Sequence, residues 1–116
     1  MTRLLAKWKV RLVAIVLFVS LLCLSPNSVA SASANGAAIF QANCAGCHPN
    51  GGNIVRRGKT LRQQALRRNG MDSLAAIKTL VRQGKNNMPA YADRLSSQEI
   101  EAVATYVLER AKQGWR

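Results

Sequence analysis

Cys44-Ala45-Gly46-Cys47-His48 decides how the rest of the chain is read. A Cys-x-x-Cys-His run is the attachment signature of a c-type haem. The spacing has a chemical reason. Two thiols add across the two vinyl groups of one porphyrin and form thioethers. The histidine directly after the second cysteine then lies under the iron and offers an imidazole nitrogen. Five residues thus set the ring, its orientation and one axial ligand. Covalent attachment also retains a haem that a small domain cannot fully enclose. Competing chemistries fit less well. A thioredoxin-like dithiol needs a strand leading into the motif within a βαβ setting, and no alternating strand pattern persists in this chain. Zinc needs about four ligands, whereas residues 31–116 hold two cysteines and one histidine. A structural disulfide between Cys44 and Cys47 would leave His48 unexplained.

Upstream of the motif, the chain starts with Arg3, Lys7, Lys9 and Arg11 and no acid. Leu12 to Leu24 is apolar apart from Ser20 and Cys23, and the small residues Val29-Ala30-Ser31-Ala32-Ser33-Ala34 follow Ser25-Pro26-Asn27-Ser28. A basic start, a short apolar run and a small-residue cleavage site make a secretory signal peptide. The apolar run of 13 residues is short against the ~20 that a membrane span requires. A lipid anchor at Cys23 fits poorly, and Arg3 and Arg11 do not form a twin-arginine pair. Residues 1–30 therefore read as the signal, with cleavage after Ala30, and cuts after Ala32 or Ala34 are also chemically reasonable. Residues 31–116 read as one domain of 86 residues, exported unfolded and loaded with cofactor afterwards. A domain of this size is marginal for burying apolar surface. Phe40, Tyr91, Tyr106 and Trp115 are its aromatics, so a cofactor would add to its core.

Four of the 17 basic residues precede residue 31, which leaves 13 against 5 acids, a net +8. Arg56, Arg57, Lys59, Arg62, Arg67 and Arg68 form a block without an acid. Such a field steers encounters with acidic partners, or it keeps a small protein soluble. Nucleic acid is the other usual partner of a basic chain. Export and the absence of aromatics in the block argue against it.

The periodicity downstream of the signal is helical, which makes the fold class all-α. Phe40, Cys44 and Cys47 recur at i, i+4 and i+7, predicting a first helix from near Asn35 to about Cys47. Pro49 and Asn50-Gly51-Gly52-Asn53 stop it, and a loop continues to Lys59. A second helix is predicted to open at Thr60, with Gln63 at capping-box spacing, and to end at Asn69-Gly70. A third, capped by Asp72 or Ser73, runs to Gly84 with Leu74, Ile77 and Val81 as its buried stripe. Lys85 to Leu95 reads as loop. The last helix starts with a capping box in Ser96-Ser97-Gln98-Glu99. It buries Ile100, Val103, Ala104, Val107, Leu108 and Ala111 and ends at Gly114. With His48 the sole histidine, a second axial ligand falls to Met71 or Met88. Pro89 biases Met88 towards extended backbone within a loop free to set a thioether over a ring, which favours Met88. Core packing is the plainer role for either methionine.

Taken together, Asn35-Gly36 through His48, Lys59-Thr60-Leu61, Asn69-Gly70-Met71, Gly84-Lys85-Asn86-Asn87-Met88-Pro89-Ala90, Arg94-Leu95-Ser96 and Gly114-Trp115 closely resemble the cytochrome c6 family of cyanobacteria and algal chloroplasts. The resemblance spans residues 31–116. It implies a class I cytochrome c fold, about four helices around one covalently attached haem c. It also implies Cys44 and Cys47 as attachment points, His48 and Met88 as axial iron ligands, and a monomer in the thylakoid lumen or periplasm. The implied activity is that of a one-electron carrier, not an enzyme. The implied contacts are transient, with the cytochrome b6f complex and photosystem I, and Arg94 matches a family arginine associated with docking. Two positions depart from the common pattern. Leu80 stands where many members carry a glutamine close to the haem, which resembles the c6-like subgroup (c6B and c6C) and admits a terminal oxidase as partner. Tyr91 stands for the usual phenylalanine and brings a hydroxyl that needs a partner. A haem-based sensor, whose Met88 leaves the iron to admit a small ligand, is the alternative from another functional class.

Overall fold

The computed structural model describes residues 28–116; the expected signal peptide lies almost wholly outside them. Four α-helices and one 3-10 turn follow in order: α1 (Ser28–Asn43), the turn Pro49–Gly51, α2 (Gln63–Arg68), α3 (Leu74–Gln83) and α4 (Ser97–Lys112). The all-α expectation holds, and the described residues contain no named strand. No helix among them is long and apolar enough to cross a membrane.

The last helix forms as its sequence predicts. The Ser96 hydroxyl accepts from Glu99 N at 3.2 Å, and the Glu99 carboxylate accepts from Ser96 N at 2.8 Å. That reciprocal bonding satisfies two of the amide donors a helix start leaves unpaired. It also holds the Glu99 carboxyl below its usual range. For α3 the cap is Ser73, whose hydroxyl accepts from Ala76 N.

Two boundaries differ from the sequence reading. The first helix starts at Ser28 and ends at Asn43, four residues before the predicted end at Cys47. There Asn43 Nδ2 donates to the Ile39 carbonyl, and Ala45 N reaches the Phe40 carbonyl, which loosens the winding. The i, i+4, i+7 spacing of Phe40, Cys44 and Cys47 extended the prediction, but the cysteine spacing serves attachment chemistry and not helical burial. The Thr60–Gln63 capping box does not form. The second helix begins at Gln63 behind Arg62, with no side-chain cap. Leu61 is drawn away instead: its N–H donates to the Gly51 carbonyl and its carbonyl accepts from Trp115 Nε1 at 2.9 Å.

The core is built on α4, which packs against α1 and α3 and touches α2 and the 3-10 turn. Ile100, Val103 and Phe40 are its largest fully buried side chains. Close approach of α1 and α4 rests on Gly36, where an added Cβ would lie 2.3 Å from the Ala102 carbonyl oxygen. Beside it, Phe40 meets Tyr106 and Trp115 with ring centroids 5.4 and 5.1 Å away. Such tilted pairs contribute about 0.5–1.5 kcal/mol each beyond their area. Trp115 also lies flat over Gly51, so the end of the chain clamps the loop that follows His48.

Candidate functional site

The attachment motif occupies the turn after α1. Cys44 N and His48 N donate to the carbonyls of Phe40 and Cys44, so the helical ladder continues in part through the motif. Cys44 is half-buried, Cys47 is exposed, and both are free thiols. Burial, reinforced by the neighbouring Cys47, pushes the Cys44 thiol up to about 11. A nucleophilic redox thiol needs the opposite shift, which Cys44 does not show.

His48 is oriented by its own loop. Its Nδ1 lies 2.8 Å from the Gly52 carbonyl oxygen. A carbonyl only accepts, so Nδ1 carries a proton and Nε2 is the ring nitrogen left to meet a metal. That is the arrangement by which proteins orient a metal-binding imidazole. The Gly52 carbonyl was not singled out by sequence, where Gly51-Gly52 marked only a helix stop. The 3-10 turn and the Gly52 N to Pro49 O bond bring it to the Nδ1 edge of the ring.

Met88 sits in a different kind of structure. Lys85 N donates to Met88 O at 3.0 Å and Met88 N to Lys85 O at 3.1 Å, closing a two-residue turn over Asn86 and Asn87. The stretch read as irregular loop therefore contains a tight hairpin, with Asn86 at φ 50s values tolerated by asparagine (54°). Tyr91 anchors its far side: its N–H donates to Val81 O, and its hydroxyl donates to the Asn43 carbonyl at 2.9 Å. The predicted need of that hydroxyl for a partner is met one residue before Cys44. The Arg94 guanidinium is exposed and stacks over the Tyr91 ring, 5.3 Å from its centroid. Met71 is half-buried against the core, and with Leu80, Gly84 and Lys85 it lines a cleft along α3.

These residues fit a haem. The pieces are two thiols at attachment spacing, an imidazole with its Nε2 free, a thioether on a braced turn, and half-buried Ala45, Leu74, Leu80, Met88 and Leu95 that present apolar surface without being enclosed.

Known proteins decide the family. Residues 31–107 match the family model described as cytochrome c oxidase, cbb3-type, subunit III. The chain is 58% identical over 93 residues to a cytochrome c6-like protein of Nostoc sp. strain PCC 7120, covering 80% of this chain and 84% of that one. It is 50% identical over 103 residues to cytochrome c6 of Thermostichus vulcanus, covering 89% of each. The crystal structure of cytochrome c6C from Synechococcus sp. PCC 7002 superimposes with a TM-score of 0.67 at 59% identity, covering 68% of this chain and 96% of that one. The chain belongs to the cytochrome c6 family. This cytochrome has the class I fold and carries one covalently bound haem c. It is an electron-transfer protein.

Proposed function

We propose that this cytochrome is a mobile one-electron carrier of photosynthetic electron transport, with thioether bonds at Cys44 and Cys47 and an axial pair of His48 Nε2 and Met88 Sδ. The observation that carries the proposal is the 2.8 Å contact from His48 Nδ1 to the Gly52 carbonyl, which leaves only Nε2 to act as a donor. When bound, the haem supplies reversible one-electron chemistry, and a thioether ligand raises its potential by favouring ferrous iron. With His48 and Met88 both holding the iron, the chain would keep out exogenous ligands, which suits transfer and not substrate turnover. The residues 1–30 act as a signal and are removed, and the domain 31–116 works as a monomer in the thylakoid lumen or the periplasm.

The cytochrome b6f complex as donor and photosystem I as acceptor are the partners the c6 resemblance supports, met through transient contacts that include Arg94. Charge steering favours fast association over tight binding. A second reading, a c6-like carrier that serves a terminal oxidase, is favoured by Leu80 and by the high identity to c6-like and c6C relatives. The test is the ferric spectrum of the haem-loaded protein with carbon monoxide exposure of the ferrous form. An iron–methionine charge-transfer band and no carbon monoxide adduct support the carrier. A ready adduct would make Met88 a displaceable ligand and the protein a sensor. Reaction rates with membranes holding each partner complex, measured as salt is raised, then separate photosystem I from an oxidase.

A further inference from the structure

The net charge of this cytochrome is gathered at one end. Residues 31–116 carry 13 basic and 5 acidic side chains. The six bases from Arg56 to Arg68 and the three near the chain end, Arg110, Lys112 and Arg116, have Glu109 as the acid among them. The other four bases, Lys78, Arg82, Lys85 and Arg94, are balanced by Asp72, Asp93, Glu99 and Glu101. The fold brings the two basic segments together. Trp115 Nε1 donates to Leu61 O at 2.9 Å, Arg62 Nη1 donates to Gly114 O at 3.5 Å, and α2 touches α4. Lys59 donates to Asn69 Oδ1, which folds the preceding loop back onto the end of α2. The side-chain excess of +8 therefore sits around the C-terminal end of α4, and haem propionates would offset only part of it.

We infer that this end, centred on Arg62, Arg67, Arg68, Lys112 and Arg116, binds a membrane surface rich in anionic lipid headgroups. The inference builds on the carrier reading above, because a carrier held at a membrane searches a surface and not a volume. All five side chains are exposed, and none belongs to the attachment turn or to the Met88 hairpin. Clusters of about four to eight bases are what an anionic headgroup layer attracts. The make-up of the patch favours lipid over protein. A specific protein interface has an apolar core from which Lys is depleted. In α2 and in residues 112–116 no large hydrophobic side chain is exposed. A headgroup layer asks only for charge, carried on side chains long enough to reach it.

The fold also separates this end from Arg94, which precedes the N-cap of α4 by two residues. A helix of 16 residues spans about 24 Å. Exposed charges act over ~8 Å at physiological salt, so the basic end and the Arg94 end act independently. Contact with lipid through one leaves the other free to meet a redox partner.

The experiment sediments haem-loaded protein with vesicles at physiological salt. The probes are vesicles of phosphatidylcholine alone, vesicles that also hold phosphatidylglycerol, and soluble poly-glutamate. Phosphatidylglycerol is expected to tighten binding by at least about tenfold. Each base near an anionic surface contributes about fivefold, so Arg67→Gln/Arg68→Gln should weaken that binding about tenfold or more. Arg67→Lys/Arg68→Lys should keep it within about twofold, because the surface reads charge and not guanidinium geometry. Lys78→Gln/Arg82→Gln removes the same charge from the balanced part of the chain and should change binding by less than about twofold. No preference for phosphatidylglycerol, equal losses from the two glutamine pairs, or a loss in the lysine pair would each overturn the proposal. Poly-glutamate that binds more tightly than the vesicles, with the same dependence on Arg67 and Arg68, would overturn it in favour of an acidic protein. The ferric iron–methionine band of the same samples reports ligation separately, so a failed membrane surface is not confused with a failed carrier.

Discussion

The histidine side and the methionine side of this cytochrome are held by different means. His48 is oriented within its own loop: its proton goes to Gly52, four residues on, and its backbone to Cys44, four residues back. Met88 is placed from a distance. Its hairpin is braced by Tyr91, which reaches across 48 residues to Asn43 and also to Val81. A ligand fixed by neighbours in sequence is held wherever the local turn forms. One fixed through long-range contacts depends on the assembled fold, and its hold can be loosened without unfolding the protein. The methionine side is therefore where ligand exchange and tuning are expected to occur.

The largest effect should come from removing the proposed second iron ligand, Met88. Met88→Ala is expected to abolish the iron–methionine band of the ferric protein and to admit carbon monoxide to the ferrous form, while Met71→Ala leaves both properties as in wild type. The reverse pattern, read by absorption spectroscopy, would move the ligand to the α2–α3 junction.

The histidine side should break only with the fold. Gly51 has φ +72°, and a Cβ there would stand 2.3 Å from the Trp115 ring. Left-handed backbone costs an alanine about 1–2 kcal/mol, and displacing the ring forfeits aromatic contacts of about 0.5–1.5 kcal/mol each. Gly51→Ala should thus lower the stability of the haem-loaded protein by about 3 kcal/mol. Gly58→Ala, which meets nothing within 4 Å, should be near neutral. Denaturant unfolding checks both. Equal stability of the two variants would show that the Trp115 clamp is dispensable.

How far the sequence revealed this asymmetry follows the same division. The attachment motif, a cap at Asp72 or Ser73 and the Ser96–Glu99 capping box depend on residues within a few positions of each other, and each was legible. The end of α1, the failed cap at Thr60 and the Asn86–Asn87 hairpin were not. In each, the deciding contact is tertiary or is made by atoms every residue shares. Leu61 is drawn to Trp115, 54 residues away, and no pattern around Thr60 announces that. The Gly52 carbonyl is likewise invisible to a search for functional side chains. Met88 was legible as a candidate from Pro89 and the loop composition, but its bracing by Tyr91 was not.

A moderate effect is expected at Leu80. This half-buried residue lies in the last turns of α3 and lines the cleft that leads to the Met88 hairpin. Its aliphatic side chain offers no dipole to the cofactor, and polarity around the site is one of a protein's levers on haem potential. Leu80→Gln is expected to raise the midpoint potential, by a differential stabilisation on the order of 1–2 kcal/mol between the two oxidation states, with the methionine band intact. A redox titration that finds no rise, with ligation preserved, would reduce Leu80 to a packing residue and remove the physical basis for distinguishing this chain from glutamine-bearing relatives.

The smallest change tests the comparison most directly. Tyr91→Phe removes one oxygen and keeps the buried ring that Arg94 covers. What it deletes is the 2.9 Å bond to the Asn43 carbonyl, a side-chain link between the methionine hairpin and the end of α1. Burial holds the hydroxyl above its ordinary range, so it stays protonated and donating at neutral pH. A buried hydrogen bond of this kind contributes about 0.5–1.5 kcal/mol. If the tether serves the hairpin, the loss falls on Met88 and not evenly on the fold. The expected outcome is faster entry of exogenous imidazole or carbon monoxide, by up to about tenfold, together with a slight loss of global stability. The His48 Nδ1 proton should exchange at its wild-type rate, because its partner lies in the other loop. Stopped-flow ligand binding and proton exchange read the two sides separately. Equal loosening of both would mean that the two loops form one cooperative unit, and the contrast between local and long-range ligand placement would no longer describe this protein.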